Sequence, residues 1–460
     1  MELTTISLLF LILPLISLLI LSSSHSRHGE SRAETNKKRC PPGPWGLPFI
    51  GSIHHLLTSQ PQAALRELAK KHGPVMYLRL GQVDTFMVSS PEAAREVLRA
   101  NDISFASRPS LLATDIICYG NLDLASAPYC NYWRALRKFC TLELLSARKV
   151  KKFMAIRDRE TMSLIVEVHA AAASETVNLG GLLVSCTNSI IGLVTFDHSC
   201  SGERRKQFLS AMIMALKYSL GFCVSNLFTA MWFMDVVTGM RHRLRRAHRQ
   251  LDQLFDEIIA ECEARRRNAQ GEDPEGEHEL LSVLLRIRDE EELELPIKTT
   301  NIKAIIVDMF IAGMETTSSA PEWVMSELIK NPKMMEKALE EVRQAFNNKN
   351  PLDHESNVHH PHYLSMVIKE TMRLHPPLPL LLPRPCRVIV NAWAMARSPE
   401  YWNDDSEEFS PERFEKSVLD YKGTQFQYLP FGSGRRMCPG SGFGLATMEL
   451  ILARLLYYFD

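Results

Sequence analysis

The stretch Phe431–Gly440, FGSGRRMCPG, constrains this chain more than any other. Gly432, Gly434 and Gly440 surround one cysteine, Cys438, and an apolar helical run from Gly444 to Tyr458 follows at once. Glycine reaches backbone conformations closed to other residues, so such a loop can turn tightly and bring its amides against a flat ligand or a sulfur. Those amides and the N-terminus of the following helix favour a thiolate over a thiol. A glycine-rich turn around a buried, inert cysteine is the competing reading. The fixed order of Phe431, Gly434, Arg436, Cys438 and Gly440 argues against it. The ten cysteines otherwise show no CxxC pair and no regular spacing, so neither a zinc site nor a disulfide framework is indicated.

The length, 460 residues with 45% hydrophobic, suffices for a large core. Lys plus Arg equals Asp plus Glu at 53 each, which gives no reason to expect nucleic acid as a partner. Leu3 to Leu21 is almost wholly apolar and uncharged, and its length approaches the ~30 Å of a bilayer core. A cleaved signal peptide is the alternative, but its apolar region is usually shorter and ends at a small-residue site. Arg27, Arg32, Lys37, Lys38 and Arg39 follow the apolar run while only Glu2 precedes it, so the positive-inside rule keeps the globular part in the cytosol. Residues 1–22 are thus expected to anchor the chain. Residues 23–51 form a basic linker ending in the stiff PPGPWGLPFIG, and residues 52–460 form the body.

Val75–Leu80 and Thr85–Val88 read as two strands about Gly81-Gln82. Helical patterning follows over Pro91–Ala100, Tyr132–Leu145, Ser146–Ala172, Arg241–Arg266, Thr300–Ile329, Pro332–Phe346, His362–Leu374 and Gly444–Tyr458. Arg267–Glu279 reads as a charged loop. The fold class is therefore mainly α with a small β lobe.

Two further motifs sit on predicted helices. Glu370 and Arg373 stand three residues apart, which alone describes an ordinary surface ion pair. Ala312-Gly313-Met314-Glu315-Thr316-Thr317 places an acid and a hydroxyl in an otherwise apolar helix. Gly313 suggests a close approach to a ligand, although a helical threonine often only bonds the carbonyl four residues back.

Together these motifs closely resemble the cytochrome P450 superfamily, over nearly the whole chain. The plant microsomal group is the nearest likeness, through PPGPWGLPFIG, FASRP at Phe105–Pro109 and PYCNYWRALRKFC at Pro128–Cys140. The resemblance implies haem b between the long Thr300–Ile329 helix and the Cys438 loop, with Cys438 as the iron ligand. It implies that Thr316 and Glu315 manage protons during dioxygen activation. Glu370, Arg373 and Arg413 of PERF would form a buried structural cluster. Arg108, Trp133, Arg137, Arg384 and Arg436 would reach the haem propionates. An apolar substrate, terpenoid-like first and phenolic or indolic second, would be lined by Ser110–Pro128, Phe208–Met234, Ile305–Thr317 and Pro377–Leu382. Electrons would come from NADPH through cytochrome P450 reductase, docked on a basic face with Arg134, Lys138 and Arg435, with cytochrome b5 as a further partner. The expected location is the endoplasmic reticulum membrane.

The chain departs from the family where Cys386 runs directly into Arg387, without a segment of about fifteen residues, a hairpin's length. It also lacks a terminal hairpin after Asp460, and Pro321 is expected to kink the long helix. The β lobe is therefore expected to be incomplete, with either Arg384 pulled from its propionate or Val388–Asn391 out of register, and with reduced stability. Two other readings stand beside the monooxygenase. One is a haem-thiolate isomerase or dehydratase, which the Glu315-Thr316 pair disfavours. The other is a haem-binding remnant without turnover.

Overall fold

The computed structural model describes residues 40–172, 176–196, 202–219, 223–268, 279–290, 297–347, 355, 361–381 and 387–460. The expected anchor, most of the basic linker, Arg384 and most of the charged loop lie outside them. Chain order begins with α1 (Pro61–His72), β1 (Val75–Leu80) and β2 (Val83–Val88). Gly81-Gln82 joins the strands, and the register runs from Val75 opposite Val88 to Leu80 opposite Val83. A third strand, β3 (Val388–Val390), returns from far along the chain to pair in parallel with β2, Phe86 opposite Val388.

The proline-rich hinge is not a free connector. Tyr77 donates its amide to Pro42 (3.0 Å) and Ser52 donates to Arg79 (2.6 Å), so the hinge lies along the outer edge of β1. At Gly51, with φ +62°, a Cβ would collide with the Arg79 carbonyl. Only glycine allows that approach. The edge strand is thereby covered, which removes a template for pairing with other chains.

The missing residues before Arg387 do not dislodge β3. Val388 and Val390 turn inward, and Leu381 donates to Val390 (2.9 Å) while Asn391 donates to Val88 (2.8 Å). The strand keeps its buried face, so of the two expected consequences the slip does not occur, while the one at Arg384 falls outside the described residues. Arg387 holds φ +50°, a conformation costly for a side-chain-bearing residue, and its guanidinium donates to the Asn226 carbonyl (2.9 Å).

The helical body comprises α2 (Pro91–Arg95), α3 (Leu112–Ile117), α4 (Asn131–Phe139), α5 (Met154–Ala172), α6 (Leu179–Phe196) and α7 (Gly202–Ser219). It continues with α8 (Met240–Asn268), α9 (Leu280–Glu290), α10 (Thr299–Lys330), α11 (Pro332–Phe346), α12 (His362–Leu374) and α13 (Ser441–Tyr458). Several predicted helices are interrupted. The Pro91 and Tyr132 segments each end in a widened turn, closed by bonds from Asn101 to Glu96 and from Leu145 to Cys140. The Ser146–Ala172 segment breaks at Phe153.

The core forms around α10. Helix α6 packs along it, with α9 and α13 on its flanks and α5 against α6 and α13. Ile302, Ile305, Ile306, Val307 and Phe310 meet Ile190, Val194, Phe196 and Phe208 in one buried cluster. Helix α6 is long and apolar enough to cross a membrane, but more than half of it is buried against these neighbours. It is a core helix. Pro321 lies inside α10 without ending it. Lacking an N–H, it deprives the Thr317 carbonyl of its helical partner.

Candidate active site

The loop before α13 is built by its glycines. Gly432 and Gly434 hold φ of +73° and +70°. A Cβ on Gly434 would also strike the Leu98 carbonyl, so that position requires glycine twice over. The loop closes when Cys438 donates its amide to Phe431 (3.0 Å), and Ser433 donates its hydroxyl to Gly423 (2.5 Å). Cys438 is exposed, yet protein crowds it enough for burial to push its thiol up. It therefore lines a recess rather than the outer surface. The Gly440 and Ser441 amides and the nearby Arg137 charge pull the thiol the other way, as a thiolate-holding site requires.

Helix α10 brings the second element beside this loop. A Cβ on Gly444 would lie 3.8 Å from the Thr317 hydroxyl, which sets the start of α13 against the middle of α10. Ala312, Glu315 and Thr316 are exposed on α10 between the buried Phe310, Met314 and Ser318. Thr316 donates to the Ala312 carbonyl (2.5 Å), so its proton is spent inside the helix while its oxygen remains an acceptor. Gly313 does not meet the recess as expected. A Cβ there would come within 2.6 Å of Ile191, so its smallness serves the packing of α10 on α6.

The residues expected at a carboxylate separate into two groups. Trp133 gives its only N–H to the Leu124 carbonyl (2.9 Å). Arg436 donates to Ala106 (2.7 Å), Leu124 (3.0 Å) and Ala127, and stacks on Trp133 at 4.1 Å. Arg108 donates to Ala125 (3.2 Å). These three hold the loop Leu124–Ala127, where the single donor of the Trp133 indole is engaged. Arg137 differs: it is half-buried beside Cys438, and its guanidinium makes no hydrogen bond or ion pair with a described residue. Burial lowers its pKa, which an anionic partner would reverse. Arg384 lies outside the described residues.

Two features were not singled out from the sequence. Asp308 on α10 accepts from the Ala125 amide (3.1 Å), fastening the same loop from the opposite side, and Asp123 accepts from the Ser126 amide (2.9 Å) and hydroxyl (2.7 Å). Burial first, and for Asp308 the neighbouring Asp123, raise both carboxyls, Asp308 to about 8. A lone acid in the run Ile302–Phe310 was the available signal. The other is a buried network in which Arg157 pairs with Glu355 (Nε–Oε1 3.1 Å) and Arg454 with Asp158 (2.7 Å). Behind the site, Glu370 accepts from Arg373 (2.8 Å twice), the Ser410 amide (2.9 Å) and Arg413 (3.3 Å). The structure thus brings Glu370, Arg373 and Arg413 together, with Glu370 and Arg373 fully buried.

The family model described as Cytochrome P450 matches residues 41–460. The chain belongs to the cytochrome P450 family. Among its relatives, Cytochrome P450 99A2 of Oryza sativa subsp. japonica is 54% identical, covering 94% of this chain and 83% of the relative. The 9-beta-pimara-7,15-diene oxidase of the same organism is 53% identical, covering 94% and 87%. Premnaspirodiene oxygenase of Hyoscyamus muticus is 43% identical, covering 93% and 87%. A solved zebra fish cytochrome P450 structure with progesterone superposes with a TM-score of 0.71 at 24% identity, covering 87% and 92%. That likeness shows the fold.

This P450 is a monooxygenase of the plant group, and haem b is its cofactor. The residues present fit that group. A recessed thiol with two amides and a cation about it is a donor set for an iron thiolate, and Arg137 is a cation still lacking an anion.

Proposed function

We propose that this P450 inserts one oxygen atom of O2 into a small apolar, terpenoid-like substrate, using electrons from NADPH delivered by cytochrome P450 reductase at the endoplasmic reticulum membrane. Its domains would be an anchor at 1–22, a linker and hinge at 23–51 and the haem body at 52–460. The carrying observation is the recessed Cys438 with the Gly440 and Ser441 amides aimed at it, beside the exposed Glu315 and Thr316 of α10. The substrate class is supported by relatives named for oxidising pimaradiene and premnaspirodiene.

When bound, haem supplies the redox chemistry of dioxygen, pushed by its thiolate ligand. Cys438 would be that ligand, and Arg137 would hold a propionate, with Arg436 and Arg108 acting through the loop Leu124–Ala127. Glu315 would pass protons inward from water. Thr316, whose own proton lies on Ala312, would accept a hydrogen bond with its free lone pairs and so order the relay. Arg134, Lys138 and Arg435 would steer the reductase, with cytochrome b5 as an auxiliary donor. Among these Arg435 already pairs with Asp102 (2.8 Å), which reduces its share.

The test uses the purified full chain with reductase, NADPH and a panel of cyclic terpene hydrocarbons and simple phenols. A red-shifted band of the reduced carbon monoxide complex, lost in Cys438→Ser, and product formed in step with NADPH from the terpenes are expected. A band that survives in Cys438→Ser rejects the ligand. Turnover of phenols alone rejects the substrate class.

A further inference from the structure

Arg387 is a cation that the fold leaves without an anion. It is half-buried, and burial lowers its pKa with no acid to push it back. Its Nη2 donates to the Asn226 carbonyl (2.9 Å), while Nε and Nη1 meet no described protein group and remain accessible. The residues just before it in the chain, LPRPC, hold no acid either. A cation withdrawn from water in this way costs free energy unless an anion joins it.

The place around it is firmly built. Asp235, fully buried, accepts from the Val224 amide (2.7 Å) with one oxygen and from the Ser225 amide (3.0 Å) with the other, which fixes the turn before Asn226. The Asn226 side chain accepts from the Leu112 amide (3.1 Å) and so ties α3 to that turn. Arg387 holds φ +50° as the chain enters β3. Backbone strain of this kind persists where the surroundings over-determine it, as they do at ligand clamps.

Three segments expected to line a substrate therefore meet here. Residues 110–128 arrive through Leu112 and residues 208–234 through Asn226. Residues 377–382 arrive through Leu381, which donates to Val390 (2.9 Å) in the strand that Arg387 leads into. Beside the junction, Leu111, Leu112, Val224 and Leu227 are apolar and half-buried. An inorganic anion would answer the charge and leave that apolar surface unfilled. An apolar body carrying an oxyanion answers both, and a carboxylate presents two oxygens to a planar guanidinium.

We propose that Arg387 selects a terpenoid bearing a carboxylate, holding that group where α3, the turn 224–226 and β3 meet, with the apolar rings lying toward the Cys438 recess. The inference rests on the terpenoid reading above and narrows it to acids. Charge-assisted hydrogen bonds of this kind are worth about 10- to 100-fold in binding.

The test takes the haem-loaded full chain in a neutral detergent and titrates a tricyclic diterpene carboxylic acid, its methyl ester and the parent hydrocarbon. The substrate-induced spectral shift reads the affinity of each. The acid should bind about tenfold or more tightly than the ester, and Arg387→Gln should erase that preference while leaving the ester within about twofold. Glutamine still offers an N–H to the Asn226 carbonyl, so the change removes the charge and spares the tie. Arg387→Lys should keep part of the preference, because it keeps the charge without the planar fork. Equal affinity for acid and ester in the unaltered chain overturns the proposal, as does an acid preference that survives in Arg387→Gln. A loss shared equally by acid and ester in that variant does so too, since it marks Arg387 as a support for the turn. Should Arg387→Gln fail to take up haem, the acid–ester comparison in the unaltered chain and in Arg387→Lys still decides. Absence of a shift with all three diterpenes overturns the terpenoid reading together with this one, whereas equal binding of all three removes only the carboxylate.

Discussion

Replacing Glu370 by Gln isolates what the buried charge cluster contributes. Oε1 of Glu370 takes three hydrogen bonds, from Arg373 Nη2, the Ser410 amide and Arg413 Nε, whereas Oε2 takes one from Arg373 Nε. A glutamine would keep its carbonyl at the Oε1 place and set its amide against Arg373 Nε, donor against donor. Arg373 would then be a fully buried cation with no counter-charge, its remaining donors going to the Ala396, Ser406 and Glu408 carbonyls. Breaking a buried pair costs about 3–5 kcal/mol, a large part of the roughly 5–15 kcal/mol that holds a domain folded. Asp405→Asn touches the outer end of the same cluster, where Asp405 is 46% exposed opposite Arg413 (3.0 Å). That change should cost less than about 1 kcal/mol. Pulse proteolysis of the haem-loaded chain across a urea series measures both. Losses within about 1 kcal/mol of each other would refute the burial argument.

Gly434→Ala should lose haem and aggregate, since the added methyl meets the Leu98 carbonyl at a backbone conformation costing about 1–2 kcal/mol; normal haem content on expression would contradict this. Asp308 has a folded pKa raised to about 8 from near 4, so the native state holds its proton longer than the unfolded chain does. Its contribution to stability is complete below pH 4 and fades as pH rises through 8, and Asp308→Asn should flatten that slope in thermal melts from pH 6 to 9. Thr316→Ala should leave substrate-induced spectral shifts in place and divert NADPH electrons to peroxide. The loss of coupled product, up to about 10²–10⁴-fold for a positioned proton-transfer group, is read by comparing NADPH used with product formed.

The amphipathic parts of this fold were plain from sequence. Helices α11 and α12 carry clear apolar stripes, and Gly81-Gln82 between alternating strands set the hairpin where the structure has it. Helix α6 escaped because α5, α9 and α10 contact it on several sides, leaving no continuous polar face to create a period. The Arg157–Glu355 and Arg454–Asp158 pairs span 198 and 296 residues, and no local spacing announces a contact of that range. Motif order singled out Glu370 and Arg373, which the structure joins three residues apart on α12. It did not foretell that the Trp133 N–H meets the Leu124 carbonyl or that Gly313 lies against Ile191, because a motif names a residue without saying which neighbour takes its donor or fills its space.

The parallel pairing of β2 with β3 has a temporal consequence. Phe86 and Val388 are roughly 300 residues apart in the chain, and ribosomes add about 5–20 residues each second. The hairpin therefore emerges about 15–60 s before the strand that completes it. During that interval the hinge already covers β1, while the edge of β2 presents unpaired backbone groups to whatever is nearby. A nascent chain held close to a membrane, apart from its siblings, would be shielded through that wait, whereas many copies released together into solution would pair edge to edge. Yield on expression should then depend on how crowded the translating chains are, and slowing initiation should raise the soluble fraction more than slowing elongation.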